Sequence, residues 1–390
     1  MYLCIMANYF SSNFTLGILG GGQLGKMMLY QTRKFDITTH VLDPSFDAPC
    51  RISCDHFTQG DLMNYDAVFN FGKKVDILTL EIEGVNLEAI EALEKMGKIV
   101  YPSANTLRNI QNKGVQKKFY QTHHIPTAAF SVFDSISLVK KALANDELKL
   151  PFVWKSCTGG YDGKGVQVIK TSQTLEQLPD CPCVIEDLVN FKNELAVIVA
   201  RNPSQQVKTY PVVEMEFHPQ ANQVEYVICP ARIDKQVAEK ARNIAIQVSK
   251  AFEHVGLLAV EMFQTIDDQI IVNEVAPRPH NSGHYSIEAS YTNQFEQHIR
   301  AVLDLPLGNT ASKVGGIMVN LVGEQNHTGD VAYQNIKEIM AMDGVTPHIY
   351  GKKQTRPFRK MGHVTIVNEN IDTAREIAQQ VKQRIKVISK

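Results

Sequence analysis

Two groups of residues have the chemical types and the spacing needed to bind a phosphorylated nucleotide. The first is the loop from Thr158 to Gly165, which contains four glycines in eight residues. Between two strands, such a loop forms a mobile flap whose backbone amides can surround phosphate oxygens. Lys155 ends the apolar strand before this loop, and a lysine on a strand of this buried type usually meets an anion. A lysine that reaches solvent from the strand end is the alternative.

The second group is a pair of carboxylates, Glu261 and Glu274, each within an apolar strand. A short turn at Asp267-Asp268 joins the two strands, and cross-strand side chains come within about 5 Å of each other. Two carboxylates that close repel each other unless a cation lies between them. Oxygen ligands beside phosphates favour Mg²⁺, with Asn273 as a further carbonyl ligand, and the Arg278 guanidinium suits a transferred phosphoryl group. Two unrelated acids on half-buried strands are the alternative.

An earlier glycine loop, Gly20 to Gly25, reads G-x-G-x-x-G between a predicted strand and a predicted helix that begins at Gln23. Asp43 lies 18 residues beyond Gly25, at the end of the next strand, which is the spacing of a dinucleotide-binding fingerprint. The glycine amides and the helix N-terminus can, however, bind any phosphorylated ligand. NAD or FAD, another phosphorylated ligand, and a tight turn without a ligand therefore all remain open.

The elements that must position these groups divide the chain into three parts. Up to about residue 105, short strands alternate with helices, which predicts a parallel sheet. Residues 151–275 contain mostly antiparallel strands, with a hairpin at the second glycine loop and a long helix from Asp234 to His254. From about residue 315 a small unit follows and ends in a helix, Thr373 to Ile385. The strands predicted in the middle part are Leu150 to Lys155, Val166 to Ile169, Cys183 to Glu186, Glu194 to Ala200, Thr209 to Glu216, Leu257 to Gln264 and Gln269 to Glu274.

Composition excludes several classes of protein. The net charge of −1 argues against a nucleic-acid partner, and no apolar run approaches the roughly 20 residues that cross a membrane. The seven scattered cysteines indicate free thiols in a reducing, cytoplasmic compartment. A metal site at Cys181 and Cys183 would need a second Cys or His pair at the usual spacing, which the sequence lacks. The apolar start of the chain reads as an extension, with Met6 as an alternative initiator.

Several motifs together resemble one known family. They are GILGGGQLGKM, VLDPS, TGGYDGKG, PARIDK, NEVAPRPHNSGHYSIEA and YGKKQTRPFRKMGH, in the family's order over residues 16–365. They resemble the 5-(carboxyamino)imidazole ribonucleotide synthases, the PurK type, of the ATP-grasp superfamily. The resemblance implies an ATP-grasp fold, mixed α/β and α+β, with an N-terminal parallel-sheet, Rossmann-like pre-ATP-grasp domain and a small C-terminal domain. The implied boundaries are 14–112, 113–310 with a lid subdomain at about 113–186, and 315–390.

The resemblance also implies a reaction. A ligase of purine biosynthesis uses ATP to phosphorylate bicarbonate to carboxyphosphate. The exocyclic amine of 5-aminoimidazole ribonucleotide is then carboxylated, and ADP and phosphate are released. Mg²⁺ is the implied cofactor, and a homodimer is implied because relatives are commonly homodimers.

Site residues follow from the motifs by the same resemblance. Lys113, where relatives often have Arg, and Lys155 contact the ATP phosphates, and the first glycine loop holds the phosphate of the ribonucleotide. The ATP site comprises Lys113, Lys155, Gly160, Tyr161, Asp162, Gly163, Lys164, Gly165, Val166, Glu186, Asp187, Leu188, Val189, Glu194, His218, Asn273 and Glu274. The metal ligands are Glu261 and Glu274. The ribonucleotide site comprises Gly22, Gln23, Leu24, Glu81, Glu83, Tyr161, His280, Asn281 and Ser282. The catalytic residues are Asp162, Arg278, Lys352 and Arg359.

Two departures from the family pattern and three rival functions remain. Gly84 stands where relatives usually have Asn or His, and Val166 where they often have Gln. The nearest rival is a formate-dependent glycinamide ribonucleotide transformylase of the same superfamily. A nicotinamide dehydrogenase built on the first glycine loop and Asp43 leaves the second loop and the carboxylate pair without a role. A non-catalytic nucleotide sensor is disfavoured because Lys155, Glu261, Glu274 and Arg278 are all present.

Overall fold

The computed structural model describes residues 9–160, 165–219 and 223–390. The N-terminal part is a parallel sheet with the order β3-β2-β1-β4-β5, as the alternation of strands and helices predicted. Leu16, Ile18 and Leu19 of β1 are all fully buried, because helices cover both faces of a parallel sheet. Its elements are β1 Thr15–Leu19, α1 Gln23–Lys34, β2 Thr38–Asp43, β3 His56–Gln59, α2 Tyr65–Gly72, β4 Ile77–Leu80, α3 Leu87–Lys95, β5 Ile99–Tyr101 and α4 Ala104–Ile110.

A small antiparallel sheet follows, with the order β6-β9-β7-β8. The predicted hairpin around the second glycine loop is confirmed, since β7 and β8 pair antiparallel with Lys155 opposite Val166. Phe152 and Trp154 pack into the core of this unit, so the alternation of side chains along β7 turns Lys155 to the other face. The elements are α5 Lys113–Thr122, β6 Phe130–Phe133, α6 Ile136–Ala144, β7 Phe152–Ser156, β8 Val166–Ile169 and β9 Cys183–Asp187.

The largest sheet is antiparallel and has the order β15-β14-β10-β12-β13-β16-β20-β18, with β11 beside β10. One of its faces is covered by α7, whose buried Val237, Ala241, Ala245 and Val248 recur every three or four residues. The elements are β10 Phe191–Arg201, β11 Val207–Thr209, β12 Val213–Phe217, β13 Val224–Cys229, α7 Lys235–Ala251, β14 Gly256–Thr265, β15 Ile270–Ala276, α8 Ser286–Ala289 and α9 Gln294–Val302.

The C-terminal part completes the same sheet. β13 pairs with β16, so the expected boundary near residue 310 divides the sequence without dividing the sheet. The elements are β16 Gly315–Val322, β17 Gly329–Gln334, α10 Ile336–Met340, β18 Val345–Ile349, β19 Gln354–Thr355, β20 Lys360–Asn368, α11 Ile371–Arg384 and β21 Lys386–Ser389.

The structure corrects two predicted elements. The strand predicted from Thr209 to Glu216 is two strands that both pair with β10, because Pro211 between them has no N–H with which to continue the ladder. The C-terminal unit does not end in a helix, since α11 stops at Arg384 and β21 then pairs with β17. In the described part of the chain, no helix is both long and apolar enough to cross a bilayer.

Phe252 joins the helix behind the large sheet to the helix that carries Lys113. Its ring stacks on Phe119 of α5 with the centroids 4.2 Å apart and lies edge-on to Tyr120. We expect Phe252→Ala to lower the free energy of unfolding by about 3–5 kcal/mol, because it leaves a cavity in a closed core. Urea unfolding measures this change. The control is Tyr291→Ala: Tyr291 is 64% exposed, so its substitution should change the free energy of unfolding by less than about 0.5 kcal/mol. Equal effects of the two changes would contradict this packing.

Candidate active site

The two predicted carboxylates lie directly opposite each other. Glu261 of β14 pairs in register with Glu274 of β15, which confirms the cross-strand arrangement. On β14, Val260 and Met262 pack toward α7, so the intervening Glu261 points to the other face of the sheet. The pair therefore lies on the face that α7 leaves uncovered.

The charges around the pair are asymmetric. The Lys113 ammonium lies 2.6 Å from the Glu274 carboxylate and holds the pKa of Glu274 down to about 2. Burial, and then the charge of Glu274, raise the pKa of Glu261 to about 8. Lys113 thus favours the ionised form of Glu274, and the ionised Glu274 in turn disfavours ionisation of Glu261.

His280 contacts the second carboxylate as a neutral ring. Its Nδ1 accepts a hydrogen bond from the Ser282 backbone N–H at 3.3 Å, so its proton lies on Nε2, which is 3.2 Å from Glu261 Oε1. Burial, followed by the charge of Arg278, lowers the pKa of His280 to about 3. His280 therefore faces Glu261 with an uncharged ring and adds no positive charge.

The donor set fits a hard divalent cation that is shared with phosphates. Two opposed carboxylates and the nearby Asn273 side chain are oxygen ligands of the kind that Mg²⁺ prefers. Among the described residues, no group of three or more His, Cys, Asp and Glu side chains forms a metal site by itself. Phosphate and water oxygens would have to complete the coordination.

Lys155 is buried in this site and does not extend into solvent. Its ammonium lies 3.0 Å from Glu186 Oε2 and 2.8 Å from Asn273 Oδ1. Ile185 of β9 packs into the core of the small sheet, so Glu186, the next residue, faces the same side as Lys155. Lys155 thereby links the small sheet to the strand that carries Glu274.

Four more of the residues expected around ATP can be described individually. Asp187 and Leu188, beyond Glu186, are exposed where β9 ends, which leaves this backbone accessible to a planar base. Glu194 of β10 has a pKa raised to about 7 by burial and then by the charge of Glu274. The His218 ring lies 5.7 Å from the ring of Phe358 in the C-terminal part.

The second glycine loop is described only at its ends. Gly159 and Gly165 adopt positive φ angles of 76° and 73°, a backbone conformation that favours glycine. Ser156 Oγ donates to the carbonyl oxygen of Thr158 at 3.0 Å and fixes the start of the loop. Four predicted site residues lie outside the described residues, namely Tyr161, Asp162, Gly163 and Lys164.

Three backbone amides of the first glycine loop donate to carboxylates of the same chain. The Gly21 amide donates to Asp43 at 2.7 Å, and the Gly22 and Gly25 amides donate to the two carboxylate oxygens of Glu81 at 2.9 and 2.8 Å. A side chain at position 22 would overlap this carboxylate. The amides of Gly21, Gly22 and Gly25 are thus bound to carboxyl groups of the same chain, and the expected substrate contacts at Gly22, Gln23 and Leu24 stay a prediction.

Arg278 and Glu83 form a bidentate ion pair near Glu261 and Glu274. Arg278 Nε lies 2.5 Å from Glu83 Oε2, and Nη2 lies 3.2 Å from Oε1. Burial acts to raise the pKa of Glu83, but Arg278 holds it below its ordinary value. A Cβ atom at Gly84 would meet no atom within 4 Å, so packing around this backbone position does not itself require the glycine.

The C-terminal part brings its predicted residues to loops near α1. Lys352 Nζ donates to the carbonyl of Lys360 at 2.8 Å, and Arg359 Nη1 donates to the carbonyl of Gln354 at 2.5 Å. Lys26 of α1 donates to the carbonyl of Ile349 at 2.9 Å, which ties the N-terminal unit to the segment that leads into Lys352.

Two residues with clear roles in the site were missed by sequence reasoning. Asn320 exchanges a pair of amide hydrogen bonds with Asn281 at 3.0 and 2.9 Å and so fixes the turn at His280 to Ser282. Only the fold brings these residues together, and nothing in the sequence signals it. Lys117 contacts Glu186 at 3.1 Å, and its position four residues after Lys113, on the same helix face, was an available signal.

Comparison with known families gives matches along most of the chain. Residues 14–111 match the ribonucleotide synthetase preATP-grasp domain, residues 118–295 the ATP-grasp domain, and residues 316–377 the phosphoribosylaminoimidazole carboxylase C-terminal domain. The three matches follow one another in the order of the structural parts.

Individual relatives agree with these matches. The N5-carboxyaminoimidazole ribonucleotide synthase of Bacillus subtilis is 38% identical over 362 residues, which are 92% of each chain. The crystal structure of N5-carboxyaminoimidazole ribonucleotide synthetase from Thermotoga maritima has a TM-score of 0.89 and 39% identity, covering 97% of this chain and 100% of that one. The Aspergillus clavatus N5-carboxyaminoimidazole synthase, in complex with ADP and 5-aminoimidazole ribonucleotide, has a TM-score of 0.86 and 31% identity, covering 95% and 98%. The chain therefore belongs to the N5-carboxyaminoimidazole ribonucleotide synthase family of ATP-grasp enzymes.

Proposed function

We propose that this chain carboxylates 5-aminoimidazole ribonucleotide with bicarbonate at the expense of ATP, releasing ADP and phosphate. The observation that carries the proposal is the opposed pair Glu261 and Glu274, faced by the ammonium groups of Lys113 and Lys155. Opposed carboxylates next to buried cations suit a metal-bound polyphosphate. Membership of the family adds the identity of the acceptor.

In this proposal ATP lies between the small sheet and the large sheet. Lys155 and Lys113 bind phosphate oxygens, and Lys113 exchanges Glu274 for phosphate when the nucleotide arrives. The accessible backbone from Asp187 to Val189 binds the adenine base, and Glu194 binds the ribose. Mg²⁺, held by Glu261 and Glu274, would withdraw charge from the phosphates during transfer.

Phosphoryl transfer to bicarbonate solves a problem of reactivity. Bicarbonate is a poor electrophile, and carboxyphosphate supplies a leaving group but decomposes in water. A loop hinged at Gly159 and Gly165 can close over the site and exclude water during the reaction. Arg278, held by Glu83, offers a fixed guanidinium to the oxygens of the transferred group.

The ribonucleotide lies on the other side of the transferred phosphoryl group. Lys352 and Arg359 neutralise charge there, and Asp162 orients or deprotonates the attacking amine. Binding of the ribonucleotide's phosphate at the first glycine loop, as the family implies, requires the amides of Gly22 and Gly25 to exchange Glu81 for phosphate oxygens.

We also propose a cytoplasmic, homodimeric enzyme. The cysteines within the described residues are all free, which fits a reducing compartment. The homodimer rests on analogy with relatives.

Glu274→Ala should abolish ATP turnover and leave ribonucleotide binding largely intact. We expect a loss of more than about 100-fold in ADP release, because even outer-shell partners of a metal contribute 10- to 100-fold. ADP release and calorimetric titration with the ribonucleotide measure the two effects. Asp268→Ala removes an exposed carboxylate from the turn of the same hairpin and serves as the control. Normal turnover in Glu274→Ala would remove the metal assignment.

The identity of the activated acid can be tested separately. We expect ADP release to need both bicarbonate and 5-aminoimidazole ribonucleotide, because the carboxylated amine is the stable product. A coupled ADP-release assay with bicarbonate or formate, each with and without the ribonucleotide, measures this. A dependence on formate, with no response to bicarbonate, would instead favour the transformylase.

A further inference from the structure

Lys117 is a fully buried lysine next to the proposed ATP site. Its side chain is 2% exposed, and its ammonium lies 3.1 Å from Glu186 Oε1. It also donates to the Thr127 hydroxyl at 2.6 Å, and that hydroxyl donates in turn to the carbonyl of Val272. Lys117 is thus anchored to the strand that leads into Asn273 and Glu274.

The Glu186 carboxylate is shared between two ammonium groups. Its Oε1 faces Lys117, and its Oε2 lies 3.0 Å from Lys155. A carboxylate divided in this way neutralises each cation only in part. If Lys117 were uncharged, the whole negative charge of Glu186 would be directed at Lys155, which would then attract phosphate less strongly.

We propose that Lys117 is a positioning residue for ATP: by holding one oxygen of Glu186, it keeps the positive charge of Lys155 available to the ATP phosphates. The inference rests on the proposed placement of those phosphates at Lys155. Lys117 itself does not touch the nucleotide in this arrangement and acts through Glu186.

The cost of burying Lys117 supports a functional reason for it. An apolar side chain of similar volume is often as stabilising as a buried ion pair, or more so. The pKa of Lys117 is lowered to about 8, chiefly by burial and in smaller part by the charges of Lys155 and Lys113, while Glu186 acts to raise it. The Tyr120 ring lies 6.0 Å from the ammonium and brings no ionised group at neutral pH.

A dependence on pH follows. Lys117 is charged below pH about 8, so the full positive field at Lys155 is present there. As the pH rises through that value, Lys117 loses its proton and Glu186 neutralises Lys155 more completely. The apparent KM for ATP should therefore rise on the alkaline side, with a much smaller change in kcat.

Substitutions at Lys117 test the proposal at saturating ribonucleotide and bicarbonate. Lys117→Met should raise the KM for ATP about 10- to 100-fold, because Glu186 then neutralises Lys155 without competition from Lys117, and should leave the KM for the ribonucleotide unchanged. Lys117→Arg keeps the charge at all accessible pH values and should abolish the alkaline rise in KM. Thr127→Val removes a hydrogen-bond acceptor of the charged Lys117 ammonium, so the rise in the KM for ATP should begin at a lower pH. The exposed neighbour provides the control, Lys118→Met, which should behave as the unsubstituted chain.

Three outcomes would overturn the proposal. One is a KM for ATP in Lys117→Met within about twofold of Lys118→Met. Another is a KM for ATP whose alkaline rise is unchanged in both Lys117→Arg and Thr127→Val. This outcome remains measurable if Lys117→Met fails to fold. The third is normal ATP turnover in Lys155→Met, which would remove the ATP site itself. A loss in Lys155→Met together with no effect at Lys117 would refute the positioning role alone.

Discussion

The site depends on one electrostatic constraint, the direct opposition of Glu261 and Glu274 across two paired strands. Backbone register sets their separation, so the side chains cannot relieve the repulsion by moving far apart. The structure responds with Lys113 on Glu274 and a neutral His280 on Glu261. The pKa values of the two acids are shifted in opposite directions, and a cation that arrives with phosphates would remove the conflict between them.

The neighbouring lysines extend this arrangement to the small sheet. Lys155 and Lys117 approach opposite oxygens of Glu186, and Lys155 reaches across to Asn273. The cleft therefore contains buried cations that are only partly neutralised by fixed carboxylates. Such a cleft favours an added polyanion over water. The added negative charge neutralises the lysines more completely than the fixed carboxylates do.

Sequence reasoning succeeded where local pattern determines geometry. The glycine-rich turn between two apolar strands and the short turn between β14 and β15 were enough to predict the hairpin and the opposed acids. It failed where distant segments meet. Neither the Asn281–Asn320 amide pair nor the strand β21 beside β17 has a signature that is local in sequence. Pro211, which splits a predicted strand, was a local signal that went unused.

The first glycine loop shows why a motif alone does not define a ligand. Its glycines do allow close approach to a helix N-terminus, but the groups that approach are Asp43 and Glu81 of the same chain. The motif specifies a steric opening and a field that favours negative charge. Whether a phosphate or a carboxylate fills that opening depends on residues far away in the sequence.

A crystal structure with a non-hydrolysable ATP analogue and Mn²⁺ would test the central claim most directly. We predict an anomalous-scattering peak between the carboxylates of Glu261 and Glu274, with Lys113 moved from Glu274 to a phosphate oxygen. A metal peak away from this pair, or a bound nucleotide with the Lys113–Glu274 ion pair intact, would contradict it.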